Sequence, residues 1–214
     1  VLRAYRGRRA RVCAVAQAHA NKGPHDQYQI ALFSLGGLYD YNVADRGTSP
    51  NGTTCLLFAR SVLHAAGWNV IDAGPRATTR SSCGCPNGTG ELDNLYADHP
   101  RYYTRATAAA MAVGPQPGDV FHIQGPNYDS ASFGNNIDST HVGVVISASG
   151  DTWMTVEGGR GDHVTRARVR KLISAGTEQW AFEDDVDIAA AKHRPIKGWF
   201  DISKLATNRW MPGA

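Results

Sequence analysis

Residues 141–159 read HVGVVISASGDTWMTVEGG. HVGVVISA and TWMTVEGG are rich in β-branched and aromatic residues, and the intervening SGD has the composition of a turn, so an antiparallel hairpin is predicted. In such a hairpin the outer ends of the two strands lie side by side. His141 opens the first strand and Glu157 stands near the end of the second, so the turn brings an imidazole and a carboxylate to one edge. A histidine held there is a candidate general base, and a carboxylate beside it is placed to orient the second ring nitrogen and stabilise the imidazolium.

Residues 49–67, SPNGTTCLLFARSVLHAAG, supply a partner. A polar turn leads into a helix predicted from about Thr54 to Ala66, with Thr53 or Thr54 as cap and Gly67 as stop; Leu57, Phe58, Val62, Leu63 and Ala66 form its apolar face. Cys55 falls in the first turn, where unpaired backbone N–H groups and the helix dipole favour a thiolate. Cys55 as nucleophile, His141 as base and Glu157 as orienting carboxylate are the candidate catalytic residues. The reading requires Cys55 to face the hairpin across a cleft between helix and sheet. A buried structural thiol, a strand-end histidine and a turn-capping carboxylate are the plain alternatives.

Other segments fit a single α+β domain spanning residues 1–214, with an antiparallel sheet packed against helices, an N-terminal helical extension and a long insertion around 72–115. A helix is expected over residues 10–21, followed by an apolar segment through Leu38, a loop over 72–90, and short helices over 91–96 and 105–112. QPGDVFHI at 116–123 reads as a turn entering a strand, RARVRKLI at 166–173 alternates as a strand should, and HRPIKGWFDI at 193–202 supplies a last one. Asp119 in the PGD turn is expected to accept backbone hydrogen bonds. His122 competes with His141 for the role of base, although burial or a substrate contact suits it better. Trp153, with Trp180, Trp199 and Trp210, belongs to the core or to a substrate groove; His122 and Trp153 are the candidate cleft residues.

With 42% hydrophobic residues in 214, the chain can build one substantial core. No run of 18 apolar residues occurs, so no membrane insertion is expected. The formal charge of +3 is only mildly basic. Arg3, Arg6, Arg8, Arg9 and Arg11, and the RARVRK segment, carry no zinc-finger, RRM or helix-turn-helix signature, so solvation or attraction to an anionic wall is expected rather than specific nucleic-acid binding. Of the four cysteines, Cys83 and Cys85 are too closely spaced for a zinc pair, and neither a metal nor another cofactor is expected. A disulfide from Cys13 to either Cys83 or Cys85 is the better candidate, leaving Cys55 reduced.

SPNGTTC before a helix, then PGDVFHI, HVGVVIS and TVEGG, together resemble the papain-like peptidase superfamily in its NlpC/P60 and CHAP amidase branches, over roughly residues 41–160. The resemblance implies the NlpC/P60-type fold, with the nucleophilic cysteine at a helix N-terminus, the histidine at the start of a central strand and a third polar residue on the next. Thr54 and Leu56 flank the cysteine where NlpC/P60 chains carry Asp and Ser, and Glu157 is closer to CHAP. The implied activity is hydrolysis of an amide bond in the peptide part of peptidoglycan, by a protein secreted or delivered to the bacterial periplasm or cell wall, as an effector, a phage lysin or a self-acting wall hydrolase. An immunity or carrier protein would then be a partner. The oxyanion donor implied is the Cys55 backbone N–H, assisted from the preceding loop by Tyr41, Ser49 or Asn51. An inactive wall-binding module and a thioester-forming transferase on the same fold are the alternatives.

Overall fold

A computed structural model describes residues 2–21, 55–67, 103–124, 139–160, 164–176, 179–187 and 191–204. Tyr41, Ser49, Asn51, Cys83 and Cys85 lie outside them, as do the apolar segment through Leu38 and the expected loop over 72–90.

The hairpin forms as β3 (Ser139–Ser149) and β4 (Thr152–Arg160). Ser149 pairs with Thr152, which leaves a two-residue turn, and Gly150 takes the left-handed conformation it demands at φ 57°. Val144 pairs with Val156 and Val145 with Thr155, but Met154 faces Ser147, so one extra residue bulges from β3. The bulge keeps both Val145 and Ala148 packed on one apolar cluster although they are three residues apart.

Around the hairpin lie β1 (Tyr103–Arg105), β2 (Val120–Gln124), β5 (Val164–Gly176), β6 (Gln179–Asp187) and β7 (Lys192–Phe200). They form one antiparallel seven-stranded sheet in the order β1-β7-β2-β3-β4-β5-β6, and β6 also pairs with β7. The N-terminal part of β7 meets β6 through Lys192, His193 and Pro195, and its C-terminal part carries β1. Strands β2–β7 therefore close on themselves, which leaves few unpaired edges. Strand β6 has no counterpart among the expected elements, because EDD at 183–185 is a poor strand sequence.

Helices α1 (Leu2–Ala18) and α2 (Cys55–Ala65) cover one side of the sheet; α3 (Ala108–Val113) is a single short turn capped by Thr107, whose hydroxyl accepts the Ala110 N–H. Helix α1 begins at Leu2 rather than near residue 10, since its Ala- and Arg-rich lead contains no proline. Val12 and Ala16 of α1 and Phe58, Ala59, Val62, Leu63 and Ala66 on and just after α2 pack against Val120, Val142, Val144, Val156 and Phe200. Phe121, Ile123, Val145, Trp153, Phe182, Ile196 and Trp199 form the second core, enclosed by the strands. Period-2 alternation explains the division: Val142 and Val144 face the helices, while Val145 beside them turns inward. Each large side chain so buried contributes about 1.5–3 kcal/mol.

The basic lead has a structural use. The Arg9 guanidinium donates to Pro117 O at 2.8 Å, Asp119 Oδ1 at 2.7 Å and Asp201 Oδ1 at 2.8 Å, tying α1 to the PGD turn and the chain after β7. Asp119 also accepts from the Gln116 N–H at 2.8 Å and the Ile202 N–H at 3.2 Å, as an aspartate in that turn should. Burial pushes its carboxyl up to about 7, against the opposing pull of Arg9.

Replacing Arg9 by Met leaves the buried Asp119 carboxylate without its cation. At pH 8 the loss is expected to be about 3 kcal/mol. Below about pH 7 Asp119 is neutral and the pairing contributes little, so the loss shrinks by pH 5. Urea unfolding of both proteins at the two pH values checks this; an equal loss at both contradicts it.

Candidate active site

Cys55 is the first residue of α2 and is 8% exposed; His141 lies near the start of β3 and is 4% exposed. The Cys55 thiol is hydrogen-bonded to the His141 ring. The ring Nε2 lies 2.8 Å from Glu157 Oε2. With Nε2 committed to Glu157, Nδ1 is the nitrogen left to face Cys55. Thus the three side chains expected from the sequence meet.

The hairpin register explains how. One step beyond the Val144–Val156 pair, Glu157 stands opposite Gly143. His141, two residues from Gly143, is therefore the diagonal neighbour of Glu157 on the same face, within reach of a long side chain. Gly143 is what leaves the path open. A Cβ there would lie 2.7 Å from Glu157 Cγ and 2.7–2.8 Å from the Phe121 ring edge.

Glu157 is fully buried, and its second oxygen is also bound. Oε1 accepts from the Thr155 hydroxyl at 2.7 Å and from Arg170 Nη1 at 3.0 Å, and Arg168 Nη1 stands 4.0 Å from Oε2. Arg170 is itself wholly buried on β5. It continues to Asp184 Oδ1 through Nε at 3.0 Å and Nη2 at 2.9 Å, and to Asp185 Oδ2 at 2.8 Å, while its guanidinium lies 3.8 Å above the Phe182 ring. Asp185 is paired in turn with Arg194 of β7, and Asp184 with Arg168. A buried carboxylate of this kind persists because its charge and lone pairs are all engaged.

Electrostatics at His141 follow from these contacts. Burial alone would push the imidazole down, but hydrogen bonds to Cys55 and Glu157, and the charges of both, outweigh it and hold the ring above its ordinary value of 6.5. A protonated ring has two N–H groups, enough to serve both the sulfur and the carboxylate.

The remaining candidates lie elsewhere. His122 is fully buried on β2, and burial, with a further contribution from Lys197, pushes its ring down to about 3, so it stays neutral. Trp153 is 1% exposed and makes edge contacts with Phe121, Phe182 and Trp199 at centroid distances of 6.4, 5.4 and 6.3 Å; it fills the enclosed core rather than lining a cleft. Cys13 carries a free, buried thiol directed at the Val145 carbonyl oxygen 3.8 Å away, and burial pushes it up to about 11. Its expected disulfide partners, Cys83 and Cys85, lie outside the described residues. Among the described residues no three His, Cys, Asp or Glu side chains are grouped to hold a metal ion.

RARVRK, read by itself, is a solvated or wall-facing basic strand and does not single out Arg170. A signal was present: Arg166, Arg168 and Arg170 recur at period 2, and β5 pairs them with Glu157, Thr155 and Trp153. Asp184 and Asp185 supply the counter-charges of Arg168 and Arg170.

No protein-family model, no curated protein and no solved structure matches the chain.

Substituting Gly143 by Ala forces Glu157 and Phe121 apart. A destabilisation of about 1–3 kcal/mol is expected. Because Glu157 must move, the His141 titration should also fall toward 6.5. Unfolding and imidazole NMR on the variant check both, and an unchanged titration contradicts the packing argument.

Proposed function

We propose that the chain is a cysteine amidase of the papain-like type, acting on the peptide part of bacterial peptidoglycan. The observation that carries the chemistry is the Cys55 thiol at a helix start, hydrogen-bonded to an imidazole whose other nitrogen is held 2.8 Å from a buried carboxylate. Support for the substrate comes from the likeness of SPNGTTC, PGDVFHI, HVGVVIS and TVEGG to the NlpC/P60 and CHAP amidases. That likeness also favours an activity in the periplasm or cell wall, by a protein secreted or delivered there.

In the reaction, the Cys55 thiolate attacks the amide carbonyl and forms a C–S bond, with the negative charge moving to oxygen. The Cys55 backbone N–H, in the first turn of α2 where helix geometry provides no internal acceptor, is the first donor to that oxyanion. Collapse breaks the C–N bond, and His141 gives its Nδ1 proton to the departing amine. The neutral imidazole then takes a proton from water as the oxygen attacks the thioester. The acid leaves, Cys55 departs as thiolate, and His141 is again protonated. Throughout, Glu157 keeps the ring oriented and balances its charge.

Digestion of purified peptidoglycan by wild type and by Cys55→Ala, with mass spectrometry of the released products, tests the assignment. New peptide termini are expected from wild type alone, with the variant down by about 10⁴-fold or more. Equal release by both proteins sinks it.

The pH profile gives a second check. The thiolate is lost on the acid side and the His141 proton on the alkaline side. Since His141 is held above 6.5, kcat/KM should persist through neutral pH and fall at a midpoint clearly above that value. A decline centred at or below 6.5 contradicts the charged pair.

A further inference from the structure

Arg170 performs no chemical step in the proposed reaction, yet it is a buried charge in direct contact with Glu157. Its guanidinium is fully buried and bridges three carboxylates, Glu157, Asp184 and Asp185. We propose that Arg170 is a positioning residue: by bridging Glu157 to Asp184 and Asp185, it holds the Glu157 carboxylate charged and aimed at His141. The inference rests on the proposed function for its biological meaning, although its physical content concerns the three side chains alone.

The geometry separates the two oxygens of Glu157. Arg170 and Thr155 occupy Oε1, so Oε2 is left to His141. Planarity and a fork of donors allow one guanidinium to serve Glu157 on Nη1 while Nε and Nη2 serve the aspartates, which a point-charge ammonium cannot reproduce. The charged neighbours of the pair are Cys55 from α2, His141 from β3, Arg168 and Arg170 from β5, Asp184 and Asp185 from β6, and Arg194 from β7. Arg168 and Arg194 already engage Asp184 and Asp185. Without Arg170, Glu157 keeps only the more distant Arg168, 4.0 Å from Oε2 and already paired with Asp184, and a buried carboxylate so weakly compensated is driven toward taking up a proton. A neutral Glu157 no longer supports the imidazolium.

The test is the titration of His141, followed by imidazole NMR and assigned by loss of its signal in His141→Gln, alongside the pH dependence of Cys55 alkylation by iodoacetamide. In Arg170→Gln the His141 midpoint is expected about one pH unit lower, giving roughly tenfold less imidazolium at a given alkaline pH. Alkylation, which reads the thiolate, should fall near neutral pH in step and recover at high pH where the thiol ionises by itself. Arg170→Lys should fall between wild type and Arg170→Gln. In a Glu157→Gln background, Arg170→Gln should cause no further change. A folded Arg170→Gln with an unmoved or raised midpoint overturns the proposal, as does a full further shift in the Glu157→Gln background. If Arg170→Gln does not fold, Arg170→Lys decides: a lowered midpoint supports the bridge and a wild-type midpoint overturns it. Neither readout uses a wall substrate. Wild type that fails to cut peptidoglycan while these titrations move as expected removes the amidase reading and leaves Arg170 assigned; active wild type with unmoved titrations removes this inference alone.

Discussion

A carboxylate with no contact to solvent is the constraint around which the described part of the molecule is arranged. Glu157 is buried within a closed sheet, and a charge there is tolerable only if both oxygens are fully engaged. His141 engages one; Arg170 and Thr155 engage the other. Removing any partner leaves the rest in an expensive environment. The requirement extends outward to Asp184, Asp185 and Arg194, and so stitches β5 and β6 to β7 where the sheet closes. The closure and the site are therefore parts of one electrostatic problem.

The fold solves that problem with ordinary strand geometry. Alternation sends Val142, Val144 and Val156 toward α1 and α2, and Gly143 and Glu157 toward the enclosed side. A bulge after Val145 preserves that division down the hairpin. At the helix layer, α1 and α2 share a core with the outer faces of the same strands, which fixes where α2 begins and hence where Cys55 meets His141. Arg9 secures α1 in that layer through the PGD turn. Few of these residues touch the thiol or the imidazole, but each limits how far the two can separate.

Much of this was legible in the residues. HVGVVISA and TWMTVEGG announced the hairpin through composition and turn chemistry, and the apolar periodicity after SPNGT announced a helix from about Thr54 to Ala66 with Cys55 in its first turn. Their combination anticipated which three side chains meet. Less was legible where long-range charge overrides local preference. EDD at 183–185 argues against a strand until Arg168, Arg170 and Arg194 are known to face it, and RARVRK reads as solvated until those acidic partners are placed. Trp153 was ambiguous for a different reason: a large aromatic in a strand suits a groove and an enclosed core equally, and only the cluster with Phe121, Phe182 and Trp199 decides.

The central claim is that Cys55 forms a covalent bond with the acyl group of its substrate while His141 and Glu157 handle the proton. Acid-quenching the protein during turnover of wall-derived peptides, followed by intact-mass analysis and peptide mapping, tests this most directly. The account predicts an acyl-thioester adduct on Cys55 that disappears on treatment with hydroxylamine. Continued hydrolysis by protein whose Cys55 has been fully alkylated, with no adduct at that residue, would contradict it.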